Sequence, residues 1–585
     1  MRASETSYKD IKVRLKQRLE YVSQDIPMMM RELSKRDSSS ELRTPSWAAE
    51  KRSYDMLVVG LGCAGSSAAI TAADCGRNVL IIDRYDGGGS TRRSGGVIYF
   101  GGGTDLQRAS KVGDTLDLMF DYVSSENGGV SSPETIRQFC NESPANFRWL
   151  EQRCRVRFRD KGDGVNVYPD KTSYPPSDVS LYSSGNETPK IPRGHRVLGE
   201  YLTGNILFSA LYKQLETHPN ITIATHTRAI GLVMKDQACI GIRAKVLPEN
   251  DRLRAAHVML HEIGSDSPMI DPSRVVDRTC VKTETAMFRD FGVDVNIQAR
   301  AVILATGGFF FNSKMVKKYA PKYLGLMPLG NLGDNGSGIT MAVRDANAKT
   351  KSMDRCSAWK FINPPSAFAR AVLVNTRGER VTREDKYGAS IADELLQRHE
   401  GRGFLILDEN MYKEALKEVN DPSSNLQPDQ RMQAKLNLLR NRTFGHTLRE
   451  LEQQCKIPEM SLQRSIREYN RCIQELGKDE KFEKNQTYLS VLDEYGPCYA
   501  IRMDLKRNVY WPTPCMSLGG LEVDESTGLV ISAHTNESIP GLYAAGRCAC
   551  GIASNYYVSG LSLADCVFSG RRAGRNAAAT FSSKY

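Results

Sequence analysis

Short apolar runs bounded by glycine alternate with a helical stretch of small residues early in the chain. The segment YDMLVVG (54–60) predicts a buried strand, SSAAITAADCG (66–76) a helix, and NVLIIDR (78–84) a second buried strand. Strand, helix and strand in this order imply parallel pairing through a crossover helix. Further buried strands are predicted within ARAVILATGGF (299–309) and GLYAAGR (541–547).

The pattern changes between about residues 340 and 500. Charged helical stretches at 429–456 and 458–477 predict a separate unit inserted into the first one. The fold class is therefore predicted as α/β, a Rossmann-like domain with a parallel sheet and crossover helices, carrying an inserted α+β domain.

A basic amphipathic helix is predicted before the first strand. Ile11, Leu15, Leu19 and Val22 recur at helical spacing among lysines and arginines. Such a helix suits contact with a membrane surface or a partner, but packing on its own protein body is the favoured interpretation. Residues 36–46 have the composition of a linker.

The first chemical motif is GLGCAG (60–65), a GxGxxG sequence between the predicted strand and helix. Gly60 permits a tight turn, Gly62 lets the backbone approach a pyrophosphate, and Gly65 lets helix and strand pack closely. The helix N-terminus offers N–H groups and a positive dipole end to phosphates. Asp83 ends the second strand, where a carboxylate accepts hydrogen bonds from an adenosine ribose. The pattern predicts a bound dinucleotide, either NAD or FAD.

The following segment favours FAD. DGGGSTRRSGGVIYFGGGT (86–104) is rich in glycine and hydroxyl residues and can wrap backbone donors around a flavin and its phosphates. The alternative is a flexible surface loop. The apolar sequence VIYF (97–100) within the segment argues for an ordered strand.

Composition excludes several classes of protein. The net charge is +11, but the excess is spread along 585 residues without a nucleic-acid reading motif, so nucleic-acid binding is not predicted. The 14 cysteines form no CxxC pair and no metal-ligand spacing, so we expect no metal and a reducing, cytoplasmic location. The start MRASETSYKD lacks an apolar signal region, and no run of about 18 apolar residues predicts a transmembrane helix.

Several motifs together resemble the fumarate reductase/succinate dehydrogenase flavoprotein superfamily. They are DMLVVGLGCAGSSAAITAADCG, GGGSTRRSGG, ILATGGF, GDNGSGITMA (333–342), SLGGLEVD (517–524) and GLYAAGRCACG. The resemblance implies FAD as cofactor and a flavin at the interface with a substrate-capping domain. It divides the chain into an N-terminal extension (1–53), a first part of the FAD-binding domain (54–335), a cap domain (336–505) and a C-terminal part of the FAD-binding domain (506–585).

The segments expected to bind substrate differ in sequence from those of the reductases in the superfamily. Fumarate and urocanate reductases clamp carboxylates with arginines, but GERVTREDKYGAS (378–390) places Tyr387 or Gly388 at one such position. In YYVSGLSLAD (556–565), Tyr557 stands near the position of another. Because a guanidinium fork is what a dicarboxylate requires, these replacements favour a neutral, ketone-bearing substrate.

The sequence Tyr-x-Ser-Gly at 557–560 resembles the 3-ketosteroid dehydrogenases, closest to those that act at C4 of 3-oxo-5α-steroids. SGGVIYFGGGT (94–104), PRGHRV (192–197) and SAWKFINPPSAF (357–368) share the resemblance. Two features depart from the group: residues 249–297 have the character of an insertion, and two arginines, Arg92 and Arg93, stand in a loop expected to be small and neutral.

The resemblance implies removal of an α-proton from the ketone and hydride transfer from its β-carbon to flavin N5. We expect Tyr557 to hydrogen-bond the ketone oxygen, and Ser559 with Tyr387 to form the proton path. His195 and Arg196 are equally compatible with structural roles. The predicted FAD-binding residues are Gly60, Gly62, Cys63, Ala64, Gly65, Asp83, Arg84, Gly88, Gly89, Ser90, Thr91, Ser94, Gly95, Gly96, Ala305, Thr306, Gly307, Asp334, Gly546, Arg547, Ser562 and Leu563.

Two alternatives stay open at this point. One is a reductase of fumarate, urocanate or another unsaturated acid or enone on the same fold. The other is a flavoprotein without catalytic activity. The expected partners are a small-molecule substrate and an electron acceptor that the sequence does not identify.

Overall fold

A mostly parallel sheet forms the centre of the molecule. The computed structural model describes residues 17–35, 44–49, 54–158, 167–168, 191–199, 202–269, 271, 273–424, 426 and 428–580. The strand order of the sheet is Leu529–Ile531, Ser538–Ala544, Val293–Leu304, Tyr54–Val59, Val79–Ile82 and Ile221–Ala224. Each neighbouring pair is parallel except the first pair, which is antiparallel. The predicted α/β class is therefore confirmed.

The first strand is buried on both faces. Successive side chains of a strand point to opposite sides of the sheet, and here Met56 and Val58 pack in one core while Leu57 and Val59 pack in another. Because both faces are covered, the strand reads in sequence as a continuous apolar run rather than as an alternation.

One face of the sheet carries the helix after the first strand and the C-terminal helix in close contact. A Cβ atom at Gly570 would lie 2.4 Å from the carbonyl oxygen of Ala64, and one at Gly574 would lie 2.5 Å from that of Ala68. Glycine is therefore needed for the two helices to approach. The helices on this face are Cys63–Asp74, Gly204–Glu216 and Leu561–Ala579.

The glycine-rich segment after the second strand is ordered. It forms a short helix, Gly89–Arg92, and a strand, Val97–Tyr99. The strand pairs antiparallel with Gly194–Arg196, which pairs in turn with Val167–Tyr168. The interpretation of 86–104 as a flexible surface loop is therefore wrong.

The predicted insertion is a pair of helices, Asp251–Asp266 and Val275–Phe291. They follow an antiparallel hairpin, Thr227–Lys235 with Ala238–Val246, whose second strand pairs with Val293–Leu304. The end of the 249–297 segment thus already belongs to the central sheet.

The described part of the N-terminal extension packs on this helix pair. A helical segment from residue 17 continues through Tyr21–Asp25 into Ile26–Lys35. Val22, Ile26 and Leu33 share one apolar core with residues of both insertion helices. This contact agrees with the favoured interpretation of the amphipathic pattern. Ile11, Leu15 and most of the 36–46 linker lie outside the described residues.

A separate four-stranded antiparallel sheet forms between residues 372 and 502. Its order is Val372–Val374, Phe404–Asp408, Cys498–Arg502 and Arg442–Gly445. The surrounding helices are Ser366–Arg370, Gly388–Arg398, Glu409–Asn420, Pro428–Arg440, Leu448–Cys455 and Ser461–Leu476. The stretch 429–456 is therefore not one helical segment, because Arg442–Gly445 pairs with Cys498–Arg502 between two helices.

The remaining helices and strands complete the described chain. The other α-helices are Ser46–Ala49, Asp105–Ala109, Leu116–Asn127, Pro133–Arg148, Ser313–Tyr319 and Ser337–Ala346. The other strands are Met327–Pro328, Thr350–Lys351, Cys356–Ala358, Pro514–Ser517 and Gly520–Leu521. Within the described ranges, no helix combines the length and apolar character needed to cross a bilayer, and no cluster of His, Cys, Asp and Glu could hold a metal ion.

Candidate active site

A cavity of about 990 Å³ runs from the ends of the central strands to the segments 359–368, 430–437 and 509–516. All of the predicted FAD-binding residues line it except Gly65 and Gly88. Tyr557, Ser559 and Tyr387 line the same cavity. The structure thus brings together groups that lie up to about 500 positions apart in the chain.

Gly65 and Gly88 do not line the cavity, but each allows a backbone conformation or close packing that shapes the neighbouring loops. A Cβ atom at Gly65 would lie 1.9 Å from the carbonyl oxygen of Gly60, so glycine here lets the helix pack against the strand, as expected. Gly88 has φ +90°, a left-handed conformation that favours glycine, and its N–H donates to the carbonyl of Leu61 at 2.7 Å.

Gly62 differs from both, because the protein itself leaves room for a side chain there. The nearest atoms to a Cβ at Gly62 are Thr91 Oγ1 at 3.6 Å and the carbonyl oxygen of Gly88 at 3.9 Å, which are ordinary contacts. Glycine at this position therefore serves an occupant of the cavity rather than packing. The adjoining N-terminus of Cys63–Asp74 suits that occupant's phosphates.

Asp83 is held at the end of the second strand by two backbone donors. Its Oδ2 accepts from the N–H of Leu61 at 2.8 Å, and its Oδ1 accepts from the N–H of Tyr85 at 2.8 Å. A carboxylate has about four lone-pair sites, so both oxygens retain capacity for the hydroxyls of a ribose.

A second carboxylate organises the middle of the cavity. Asp334 accepts from Arg547 Nη2 at 3.0 Å on each oxygen and from the N–H of Gly308 at 3.1 Å. The hydroxyl of Ser90 also donates to Asp334. Asp334 thus connects Ser90 of the glycine-rich loop with Arg547 of the C-terminal segment, and its negative charge neutralises the charge of Arg547.

Tyr557 lines the cavity beside Trp359. Its ring stacks on Trp359, with centroids 5.2 Å apart and planes inclined by 23°. The phenol oxygen accepts from the N–H of Gly560 at 3.3 Å. Burial raises the pKa of Tyr557 to about 12, so its hydroxyl is protonated at neutral pH and can donate.

Ser559 and Tyr387 line the same cavity from different elements. Ser559 is half-buried in the turn that precedes the helix Leu561–Ala579. Tyr387 is buried at the start of the helix Gly388–Arg398, with its ring centroid 5.7 Å from that of Phe361.

His195 and Arg196 do not line the cavity. His195 is fully buried between the hydroxyl of Thr104 and the carbonyl oxygen of Arg193, each at 2.8 Å. Burial lowers the pKa of His195 to about 4, so the ring is neutral. Its surroundings indicate a structural role.

The arginines that line the described part of the cavity share one property, which is that each has a carboxylate partner. The pairs are Arg84 with Glu284 at 3.7 Å, Arg93 with Glu262 at 3.1 Å and with Asp266, and Arg547 with Asp334 at 3.0 Å. The upper wall is uncharged, with four amide side chains, Asn363, Gln430, Gln433 and Asn437, among mostly apolar and aromatic ones. The apolar and aromatic residues are Met327, Leu329, Trp359, Phe361, Phe368, Met432, Leu436, Val509, Tyr510 and Trp511.

A family model described as FAD binding domain matches residues 55–560. The chain belongs to this family. FAD is therefore its cofactor, and the cavity just described, with its glycine cradle and helix N-terminus, fits that cofactor. The resemblance to the flavoprotein superfamily is confirmed.

Two characterised relatives show which activities occur in proteins similar to this chain. A 3-oxo-5-alpha-steroid 4-dehydrogenase of Comamonas testosteroni is 31% identical over 512 residues, covering 84% of this chain and 92% of the relative. An NADH:fumarate oxidoreductase of Klebsiella pneumoniae is 24% identical over 540 residues, covering 91% of this chain and 48% of the relative, so this chain spans about half of that protein.

Among solved structures, a 3-ketosteroid-delta4-(5alpha)-dehydrogenase from Rhodococcus jostii RHA1, in complex with 4-androstene-3,17-dione, superposes with a TM-score of 0.69. It is 28% identical, and the superposition covers 92% of this chain and 99% of that chain.

Sequence reasoning missed two groups of cavity residues. The upper-wall aromatics come from scattered segments, and only SAWKFINPPSAF (357–368) carried a signal, through resemblance alone. The second group comes from the insertion, which the sequence marked as a departure without a role. Its members that line the cavity are His261, Ser265, Asp266 and Met269.

Proposed function

We propose that this chain is an FAD-dependent 3-ketosteroid dehydrogenase that introduces a C=C bond next to the ketone, converting a 3-oxo-5α-steroid to the 3-oxo-4-ene steroid. The observation that carries the proposal is the uncharged upper wall, because a dicarboxylate requires a guanidinium fork. Tyr557 and Tyr387 line the same cavity, at positions that the resemblance aligns near the arginines of the reductases. The similarity to 3-ketosteroid 4-dehydrogenases supports the same substrate class.

Tyr557 is the donor to the ketone oxygen in this proposal. The N–H of Gly560 occupies one acceptor site of the phenol oxygen, and the hydroxyl hydrogen remains to donate into the cavity. Removal of an α-proton moves negative charge onto the ketone oxygen, so a buried donor there stabilises the developing enolate.

Ser559 and Tyr387 carry the α-proton away in this proposal. An aliphatic hydroxyl and a phenol are weak bases at neutral pH, so a relay through two hydroxyls is more effective than either alone. When bound, FAD supplies the acceptor for the hydride that leaves the β-carbon. The stack of Tyr557 on Trp359 fixes the donor, and with it the position of the ketone.

The domain organisation of the chain is part of the same proposal. We propose that residues 54–335 and 506–585 form the FAD-binding domain and that residues 336–505 form the cap that closes the substrate part of the cavity. All 14 cysteines are free in the structure, which fits the reducing cytoplasm that we propose as its location.

The test is a substrate panel on purified holoenzyme. We expect a yellow protein whose flavin absorbance is bleached without oxygen by a 3-oxo-5α-steroid, and not by the matching 3-hydroxysteroid, which lacks the acidifying ketone. Reduced dye with fumarate or urocanate should give no turnover. Turnover of these acids without bleaching by the ketosteroid would assign the chain to the reductases. Retained FAD with no turnover of any panel member would indicate a non-catalytic flavoprotein.

A further inference from the structure

The helix pair Asp251–Asp266 and Val275–Phe291 lies against the FAD-binding loops and contributes directly to the cavity wall. Three side chains of the first helix, His261, Ser265 and Asp266, line the cavity together with the glycine-rich loop. A Cβ atom at Gly264 would lie 2.8 Å from Leu332 Cδ2, so glycine at this position leaves room for the Leu332 side chain of the 329–334 loop.

His261 joins this helix to the loop predicted to hold the phosphates. Its ring stacks on Tyr85, with centroids 3.9 Å apart and planes inclined by 9°. Its Nε2–H donates to Asn331 Oδ1 at 3.2 Å, and Asn331 Nδ2 donates to Ser90 Oγ at 3.0 Å. Ser90 in turn donates to Asp334, so one unbroken chain of hydrogen bonds runs from the helix pair to the centre of the cavity.

Two charged contacts hold the pair from either side. Arg93 of the glycine-rich loop pairs with Glu262, at 3.1 Å, and with Asp266. On the second helix, Glu284 is 2% exposed and accepts from the hydroxyl of Tyr85 at 3.0 Å. Of the two arginines that the sequence marked as unusual, Arg93 is thus the counter-ion of the insertion, whereas Arg92 pairs with Asp86 at 2.6 Å.

The other side of the helix pair is covered by the N-terminal extension. Val22, Ile26 and Leu33 are buried in the core that also contains Leu260 and Phe288 of the pair. The pair is therefore packed between the extension and the cofactor loops.

We propose that the helix pair is a cofactor-retention element, in which His261 is a positioning residue that holds Tyr85, Asn331 and Ser90 in the geometry that keeps FAD bound. The ligand is the diphosphate-bearing stretch of FAD, because Ser90 belongs to the glycine-rich loop beside the helix N-terminus that suits phosphates. The proposal rests on FAD binding alone and is independent of the substrate.

The experiment measures the rate at which FAD leaves the holoenzyme after dilution, from the rise of free flavin fluorescence. The variant is His261→Ala, and the matched control is Met259→Ala, on the same helix at a position 45% exposed and away from the cavity. We expect FAD loss about tenfold faster or more in His261→Ala, and an unchanged rate in Met259→Ala, since a buried stack and a hydrogen-bond relay are both lost. His261→Phe keeps the stack and His261→Gln keeps a donor, so each should restore part of the retention.

Melting temperatures with and without FAD separate retention from folding. A retention role predicts that His261→Ala narrows the gap between the two melting temperatures, because bound ligand then stabilises less. If the variant loses FAD at the wild-type rate, or if both melting temperatures fall equally with the gap preserved, the proposal is wrong. Catalytic turnover is not needed for either readout, so failure of the proposed function would leave this result intact.

Discussion

Replacing Tyr557 by Phe tests the central chemical assignment with the smallest possible change. The phenylalanine ring can keep the 5.2 Å stack on Trp359, and only the hydroxyl is removed from the cavity. Because Tyr557 has its pKa raised to about 12 by burial, the lost group is a protonated donor over the whole working pH range. The variant therefore removes a donor and not a base.

The expected size of the effect follows from the role that we propose for the hydroxyl. Loss of one preorganised donor to a developing oxyanion costs about a hundredfold to a thousandfold in kcat, or about 3–4 kcal/mol. The structural cost is smaller, because the N–H of Gly560 loses its partner at 3.3 Å, which costs about 1 kcal/mol of folding stability. We therefore expect a large kinetic defect in a folded protein with full FAD content.

The assay is anaerobic steady-state turnover of a 3-oxo-5α-steroid with a dye acceptor, normalised to bound flavin from the visible spectrum. Tyr556→Phe is the matched control, because Tyr556 is adjacent to Tyr557 in the chain but is 48% exposed and does not line the cavity. The control should keep wild-type kcat. A Tyr557→Phe enzyme with kcat within tenfold of wild type and intact FAD content would refute the donor role.

Three further predictions concern FAD binding, structure and pH. Gly62→Val should give a folded, colourless protein in visible spectra, because its Cβ meets no protein atom closer than 3.6 Å; retained flavin absorbance would contradict the cradle. His195→Gln should lower the melting temperature without changing kcat per bound FAD, and a changed kcat would place His195 in the chemistry. Burial raises the pKa of Asp565 to about 6. The protonated carboxyl therefore contributes fully to the stability of the fold below about pH 4, near the pKa of an aspartate in the unfolded chain, and this contribution is lost as the pH rises through 6. The free energy of unfolding by urea should fall by about 3 kcal/mol over that range in wild type, and this contribution should vanish in Asp565→Asn.

Local patterns predicted the nucleotide half of the fold because its signals lie within single elements. The strands Tyr54–Val59 and Val79–Ile82 stand where continuous apolar runs placed them, since strands of a parallel sheet are buried on both faces. Gly62 and Asp83 reach the cavity because a strand–helix–strand unit fixes their positions locally.

The parts of the fold and of the cavity that the sequence did not predict depend on contacts between distant segments. Arg442–Gly445 became a strand through pairing with Cys498–Arg502, a partner that no local window contains. The same limit applies to His261, whose place in the cavity wall is set by packing of its helix between the N-terminal extension and the cofactor loops. The charge of Arg93 was also unexplained by its local sequence, because its ion-pair partners Glu262 and Asp266 belong to the distant insertion.

The pairing of arginines decides what kind of substrate the cavity can accept. A carboxylate substrate needs a guanidinium whose charge is not already matched, but Arg547 donates to both oxygens of Asp334. Freeing Arg547 would leave a buried carboxylate without its counter-ion, and breaking such a pair costs about 3–5 kcal/mol. A neutral ketone avoids this cost, because Tyr557 can polarise it through a hydrogen bond without adding net charge. The basic composition of the chain is therefore compatible with a cavity that selects an uncharged substrate.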